Sequence, residues 1–85
     1  MSKWEKVLNR VLGGSSDATI AFDDLCGLLE HLGFERRTRG SHNIFRRSGI
    51  AERPTLQRAG NQAKPYQVKQ VRAIILEYQR GDELQ

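Results

Sequence analysis

One histidine of this sequence lies where it could transfer protons beside a bound phosphate. His42 follows the dipeptide Gly40-Ser41, with Arg37 and Arg39 before it and Arg46 after it. Histidine titrates near neutral pH, so it can take a proton from an attacking 2′-hydroxyl group or give one to a leaving oxygen. Arginines bind phosphate oxygens and stabilise charge that develops on a transferring group. These residue types suit metal-independent RNA cleavage, but on the residues alone a polar surface histidine without a catalytic role is the commoner explanation.

Four other side chains bear on this prediction. Ser41 and Lys64 are further candidates for RNA binding, because Ser41 is next to His42 and Lys64 immediately precedes a predicted helix, whose N-terminus attracts anions. A solvated lysine is the alternative at position 64. His31 lies at the end of another predicted helix, where its ring complements the helix dipole. Cys26 falls inside an apolar stripe and is expected to be a buried thiol rather than a nucleophile.

Other kinds of catalytic site find little support in the sequence. One cysteine and two distant histidines give no zinc-ligand spacing, so we expect no metal. There is no Gly-rich phosphate loop, no carboxylate pair in the basic segment and no Ser-His-Asp arrangement. A chain of 85 residues buries a shallow core. That size leaves no room for a deep cofactor-binding crevice, so we expect no cofactor.

Basic residues are concentrated in the middle of the chain. Residues 34–72 hold ten basic and two acidic side chains, whereas the segments before and after are acidic on balance. Such a segment attracts polyanions, so RNA or DNA is the first partner to expect, with an acidic protein or no partner as alternatives. No apolar run approaches the roughly 18 residues of a membrane span, and the N-terminus lacks the apolar segment of a secretory signal. We therefore expect a cytoplasmic protein without a membrane partner.

Three helices are predicted from apolar residues at helical spacing. The first carries the stripe from Trp4 to Leu12 and ends at the glycines that follow. The second runs from Phe22 to Leu32, with Gly33 as its C-cap. The third starts near Pro65, which is tolerated in a first turn, and runs to about Arg80.

The segment between the second and third helices alternates as β-strands do. Residues 34–39 and 42–47 flank Gly40-Ser41, which suits a type II′ hairpin turn that pairs Arg39 with His42. Alternation then places Phe45 on the core side and His42 among arginines on the other. Residues 54–57 form an edge strand, because Pro54 cannot donate a hydrogen bond. The predicted fold is α+β, with a three-stranded antiparallel sheet and helices packed on one face.

Several separate segments of the chain resemble the HicA toxin family, over about residues 20–80. The matching strings are Leu32-Gly33-Phe34, Arg39-Gly40-Ser41-His42-Asn43-Ile44-Phe45, Leu56-Gln57 and Ala63-Lys64-Pro65-Tyr66-Gln67-Val68-Lys69-Gln70-Val71-Arg72. The resemblance implies a toxin of a type II toxin–antitoxin pair, an endoribonuclease that cleaves messenger RNA on a fold similar to a double-stranded-RNA-binding domain. It also implies that the histidine after Gly-Ser, here His42, is catalytic, and that a HicB-type antitoxin covers the active surface.

The chain departs from this family pattern in two places. Related sequences often carry a second histidine where this chain has Asn43, and the predicted strand alternation puts Asn43 on the face opposite His42. Residues 1–19 form an N-terminal helical extension and linker before the HicA-like domain of residues 20–80, with a tail at 81–85. The extension covers an open part of the core or binds the partner.

Two functions from other classes remain open on the sequence. A non-catalytic double-stranded-RNA-binding module would use the same basic face to bind phosphates and 2′-hydroxyl groups without cutting. A protein-interaction domain would dock an acidic partner there. No residue at a fixed spacing from His42 is nominated as a second proton-transfer group, and one histidine can serve both steps in turn.

Overall fold

A computed structural model describes residues 2–80 as three helices and three strands. In chain order they are α1 (Lys3–Gly13), α2 (Phe22–His31), β1 (Glu35–Arg39), β2 (His42–Arg46), β3 (Thr55–Gln57) and α3 (Pro65–Arg80). This confirms the predicted α+β class and the predicted order of elements. The order α2-β1-β2-β3-α3 is compatible with a fold like that of a double-stranded-RNA-binding domain. The predicted tail, residues 81–85, lies outside the described residues.

Local signals explain where the first two helices begin and end. Ser2 caps α1, since its side-chain oxygen accepts a hydrogen bond from the backbone N–H of Glu5 at 3.2 Å. Gly14 closes α1 in the left-handed conformation, with φ of 77°. α2 has no side-chain cap, but two aspartates lie in its first turn, where the helix dipole favours negative charge. α2 ends one residue earlier than predicted.

The sheet is antiparallel, with strand order β1-β2-β3. Arg39 pairs with His42 and Arg36 pairs with Phe45, which confirms the predicted hairpin register. β3 lies at an edge beside β2, as predicted, and the backbone N–H of Phe45 donates to the carbonyl of Pro54 at 2.9 Å. Pairing between β2 and β3 therefore continues one step beyond the residues of β3.

One hydrophobic core lies on the helical side of the sheet. Phe45 and Leu56 contribute to it from the strands and are fully buried. The helices contribute Val7, Val11, Phe22, Leu25, Cys26, Leu28, Leu29, Val68, Val71, Ile74 and Ile75. The other side of the sheet carries the alternate side chains, and we call it the open face. Its residues are Glu35, Arg37, Arg39, His42, Ile44, Arg46, Thr55 and Gln57.

α1 packs against the other two helices rather than standing apart. Val7 and Val11 of α1 are buried in the common core. The Trp4 ring lies against Gly27 of α2, where a Cβ atom would come within 2.2 Å of the ring. This packing favours the first of the two roles considered for the N-terminal extension, which is to cover the core. Within residues 2–80, none of the helices has the length and apolarity that a membrane span requires.

Candidate active site

His42 is the first residue of β2, directly after the hairpin turn, and its side chain is exposed on the open face. The turn requires a positive φ at its first position, and Gly40 supplies one, with φ of 57°. Arg39 is the cross-strand partner of His42 in β1. Directly opposed residues have Cα atoms about 4.5–5.5 Å apart. A phosphate bound at the imidazole is therefore within reach of this guanidinium group.

Gln57 is the partner of His42 on the other side, in β3. Its side-chain Nε2 lies 3.3 Å from the Ser41 hydroxyl oxygen and 3.5 Å from Nε2 of His42. Three polar side chains thus meet at one end of the open face. Ser41 and His42 are predicted here from the sequence, whereas Gln57 is not. Gln57 lies here because of the register of β3 against β2, for which the sequence carries no local signal.

The predicted arginines divide along the sheet. Arg37 and Arg39 lie on β1, and within residues 2–80 neither forms an ion pair. Arg46 is at the far end of β2, about 13 Å from His42 along the strand. Its Nε lies 3.5 Å from the Glu35 carboxylate. Arg46 therefore belongs to the same face as His42 but not to its immediate surroundings.

Lys64 lies at the start of α3 and is not part of a strand. Its carbonyl accepts the backbone N–H groups of Gln67 and Val68, so it occupies the start of α3 as predicted. Its amine lies 5.9 Å from the centre of the Tyr66 ring. No described contact joins it to His42.

Asn43 points to the helical side of the sheet, opposite His42, and is 7% exposed. Its side-chain oxygen accepts hydrogen bonds from Arg36 Nε at 3.1 Å, Arg36 Nη2 at 2.9 Å and the Thr38 hydroxyl group at 3.0 Å. Its amide donates to the Leu56 carbonyl at 3.3 Å. The face assignment is confirmed, and Asn43 links the three strands through these hydrogen bonds.

Three arginines of the basic segment are engaged with acidic residues of the N-terminal third. Arg72 donates to both carboxylate oxygens of Asp17, at 2.8 and 3.2 Å, and to the carbonyl of Val11. The two other pairs join Arg58 to Asp23 and Arg36 to Glu30. These side chains hold the helices and the sheet together. They contribute less to a phosphate-binding surface than the charge count of the sequence implies.

The two remaining reactive residue types have structural surroundings. Cys26 is fully buried, as predicted, and burial raises the pKa of its thiol from 9.0 to about 11. The thiolate that a nucleophile requires is therefore disfavoured. His31 is the last residue of α2 and stacks on Trp4, with ring centres 6.1 Å apart. Residues 2–80 bring together no group of three or more side chains suited to hold a metal ion.

The comparison with protein families agrees with the residues on this face. A family model described as "HicA toxin of bacterial toxin-antitoxin" matches residues 22–77. The chain has no significant match among curated proteins or among solved structures. The match begins with α2, takes in the whole sheet and ends within α3, so it contains His42 and every other residue of the open face. The chain belongs to the HicA toxin family of bacterial toxin–antitoxin systems.

Proposed function

We propose that this chain is the toxin of a type II toxin–antitoxin pair, that it cleaves messenger RNA in the cytoplasm, and that His42 is its catalytic residue. The observation that carries the proposal is an exposed imidazole on the open face of the sheet, between Arg39 and Gln57. Family membership adds independent support.

The proposed reaction is transfer within the RNA strand. The 2′-oxygen of one ribose attacks the adjacent phosphorus, and the bond from phosphorus to the 5′-oxygen of the next nucleotide breaks. The products are a 2′,3′-cyclic phosphate and a free 5′-hydroxyl group. His42 takes the proton from the 2′-hydroxyl group and then returns it to the departing 5′-oxygen, so one imidazole serves both steps and no metal is needed.

The neighbours of His42 have electrostatic roles in this proposal. Arg39 stabilises the negative charge that builds on the phosphoryl oxygens, and the Ser41 hydroxyl group donates to the same group. Arg37 and Arg46 bind phosphates further along the RNA strand, and Lys64 binds another phosphate near the start of α3. Phosphate contacts do not read the base sequence, so we expect weak intrinsic sequence preference.

The proposed protein partner is a HicB-type antitoxin that covers the open face. Within residues 2–80, Arg37 and Arg39 have no carboxylate partner in the toxin itself. An antitoxin that brings carboxylates to these guanidinium groups would neutralise them and exclude RNA at the same time. Binding of the antitoxin would then by itself inhibit RNA cleavage.

The test compares wild type, His42→Ala and His31→Ala on labelled RNA in the presence of a chelator. We expect His42→Ala to lose at least about 100-fold in rate, the usual scale of acid–base catalysis. His31→Ala is the matched control, because it removes the other imidazole, on the helical side, and is expected to cleave like wild type. Equal cleavage by wild type and His42→Ala would exclude His42 as the catalytic residue. Salt-sensitive RNA binding with no cleavage by any variant would instead identify a non-catalytic RNA-binding module.

A further inference from the structure

A second cationic region lies on the open face, at the end far from His42. Arg53 is in the connection between β2 and β3, and the continued pairing of Phe45 with Pro54 brings it beside Arg46. Two adjoining grooves, of 590 and 350 Å³, meet there and share Glu35, Arg46 and Arg53 in their walls. Arg53 is not among the arginines that the hairpin pattern places on the face of His42.

The walls of these grooves suit a phosphodiester better than a base. The larger groove is lined by Arg46, Arg47, Ser48 and Arg53 and by one carboxylate residue, Glu35, which pairs with Arg46, so basic residues outnumber acidic ones in its wall. No aromatic ring of residues 2–80 lines either groove, so neither offers a platform on which a base would stack. Arg53 is exposed and forms no ion pair within the described residues. Its charge is therefore available to a ligand.

The connection that carries Arg53 is anchored to the helical layer. The backbone N–H of Ala51 donates to the Tyr78 hydroxyl oxygen of α3 at 3.2 Å, and that hydroxyl group donates to the Glu52 carboxylate. Ile50 is buried in the core. Arg53 thus projects from a fixed backbone rather than from a loosely attached loop, so less conformational entropy is lost when it binds an anion.

We infer that Arg46 and Arg53, with Arg47 and Ser48, form a second phosphate-binding subsite for the same RNA strand. The inference builds on the proposed function, because it assumes that the strand passes His42. The subsite lies about 13 Å from His42 along β2, a span longer than one nucleotide step. The substrate class is accordingly an extended RNA strand that reaches beyond the cleaved linkage by more than one nucleotide.

The test measures kcat and KM for cleavage of two sets of synthetic RNA in chelator. One set consists of dinucleotides, and the other places the same cleavable step inside RNAs lengthened on one side or the other. Arg53→Gln is compared with Lys69→Gln, which removes the same charge from an exposed position of α3. We expect Arg53→Gln to lose about tenfold in kcat/KM on RNAs lengthened on one side, mainly through KM, the scale of one charge-assisted contact. Dinucleotide cleavage should stay unchanged, and Lys69→Gln should behave as wild type on both sets.

The same variants are tested for binding in a His42→Ala background, which separates the two proposals. We expect Arg53→Gln to weaken binding of the longer RNAs and to lower the slope of log K against log salt by about one. Weaker RNA binding and a lower salt slope for Arg53→Gln, combined with no RNA cleavage by wild type, would support the subsite and reject the proposed function. If Arg53→Gln lost kcat/KM equally on dinucleotides and on long RNAs, or lost none on either, the subsite would be overturned. Weakened binding to the antitoxin without any effect on RNA would overturn it as well.

Discussion

Replacing Asn43 by alanine should reduce stability and leave the chemistry intact. This residue is adjacent to His42 in the chain, so a catalytic role is the natural alternative. In the structure its side chain takes part in four hydrogen bonds on the helical side of the sheet, two of them with the guanidinium group of Arg36. The alanine variant loses all four.

The loss of stability depends on whether the former partners of Asn43 can form hydrogen bonds with other groups or with water. A hydrogen bond contributes about 0.5–1.5 kcal/mol net, so four of them set an upper range of roughly 2–6 kcal/mol. Arg36 keeps its contact with Glu30 at 3.5 Å, and the side chains of both Arg36 and Thr38 are exposed enough to bind water. We therefore expect a loss near the lower end, about 2 kcal/mol. For a domain of this size, that lowers Tm by roughly 8–16 °C.

The assay combines urea denaturation with RNA cleavage at a temperature where every variant is folded. Thr55→Ala is the control, because Thr55 lies exposed on the open face and its loss should change stability by less than about 0.5 kcal/mol. The cleavage rate of Asn43→Ala, expressed per folded molecule, should match that of wild type. A folded Asn43→Ala protein that no longer cleaves, or one with an unchanged denaturation midpoint, would refute the structural role assigned to this residue.

Three further predictions concern packing and ionisation. Gly27→Ala should destabilise by about 1 kcal/mol in urea denaturation, because the overpacking cost against the Trp4 ring exceeds the gain in helix propensity; a stabilised variant would contradict this. The raised pKa of the Cys26 thiol means that its contribution to stability is intact below pH 9 and is lost between pH 9 and about 11, as the unfolded state ionises. Denaturation midpoints over that range should fall less steeply for Cys26→Ala than for wild type, and parallel curves would count against the burial argument. Tyr78→Phe should increase hydrogen exchange at the Ala51 amide, which loses its acceptor, while unchanged exchange would show that the anchor is ineffective.

The hairpin and the face of His42 could be predicted because both depend on local pattern. A two-residue turn containing Gly40 fixes the register, and alternation then separates Phe45 from His42 without knowledge of the rest of the chain. The helices follow from apolar spacing for the same reason. The structure confirms these elements with bounds that differ from the predicted ones by a few residues.

The contacts that could not be predicted join residues far apart in the sequence. Gln57 meets His42 only because the connection after β2 returns the chain in one particular register. Glycine has a low helix propensity, and the structure shows that Gly27 leaves the space that the Trp4 ring occupies. Neither spacing nor residue type indicates which distant side chain will occupy such a position.

Counting charges along the chain also misled in one respect. The basic middle segment suggested ten cations available for a polyanion, but four of its arginines bind carboxylates of the protein itself: Arg36, Arg46, Arg58 and Arg72. Which arginines are engaged depends on tertiary contacts, such as that between Asp17 and Arg72, which are 55 positions apart. The count indicated the kind of partner, and the structure indicates which arginines are available to it.

These internal pairings also decide where on the molecule positive charge is left without a carboxylate partner. Acidic residues among the first 33 positions pair with Arg36, Arg58 and Arg72. Arg37 and Arg39 on the open face have no carboxylate partner within residues 2–80. In dilute salt, the field of these two guanidinium groups attracts a polyanion to the open face before the two molecules touch. Substituting one of those N-terminal carboxylates would weaken the packing of the helices and leave its arginine partner without a counter-charge, away from the open face. Nucleic acid would then also bind at that arginine, in orientations that keep it away from the His42 imidazole.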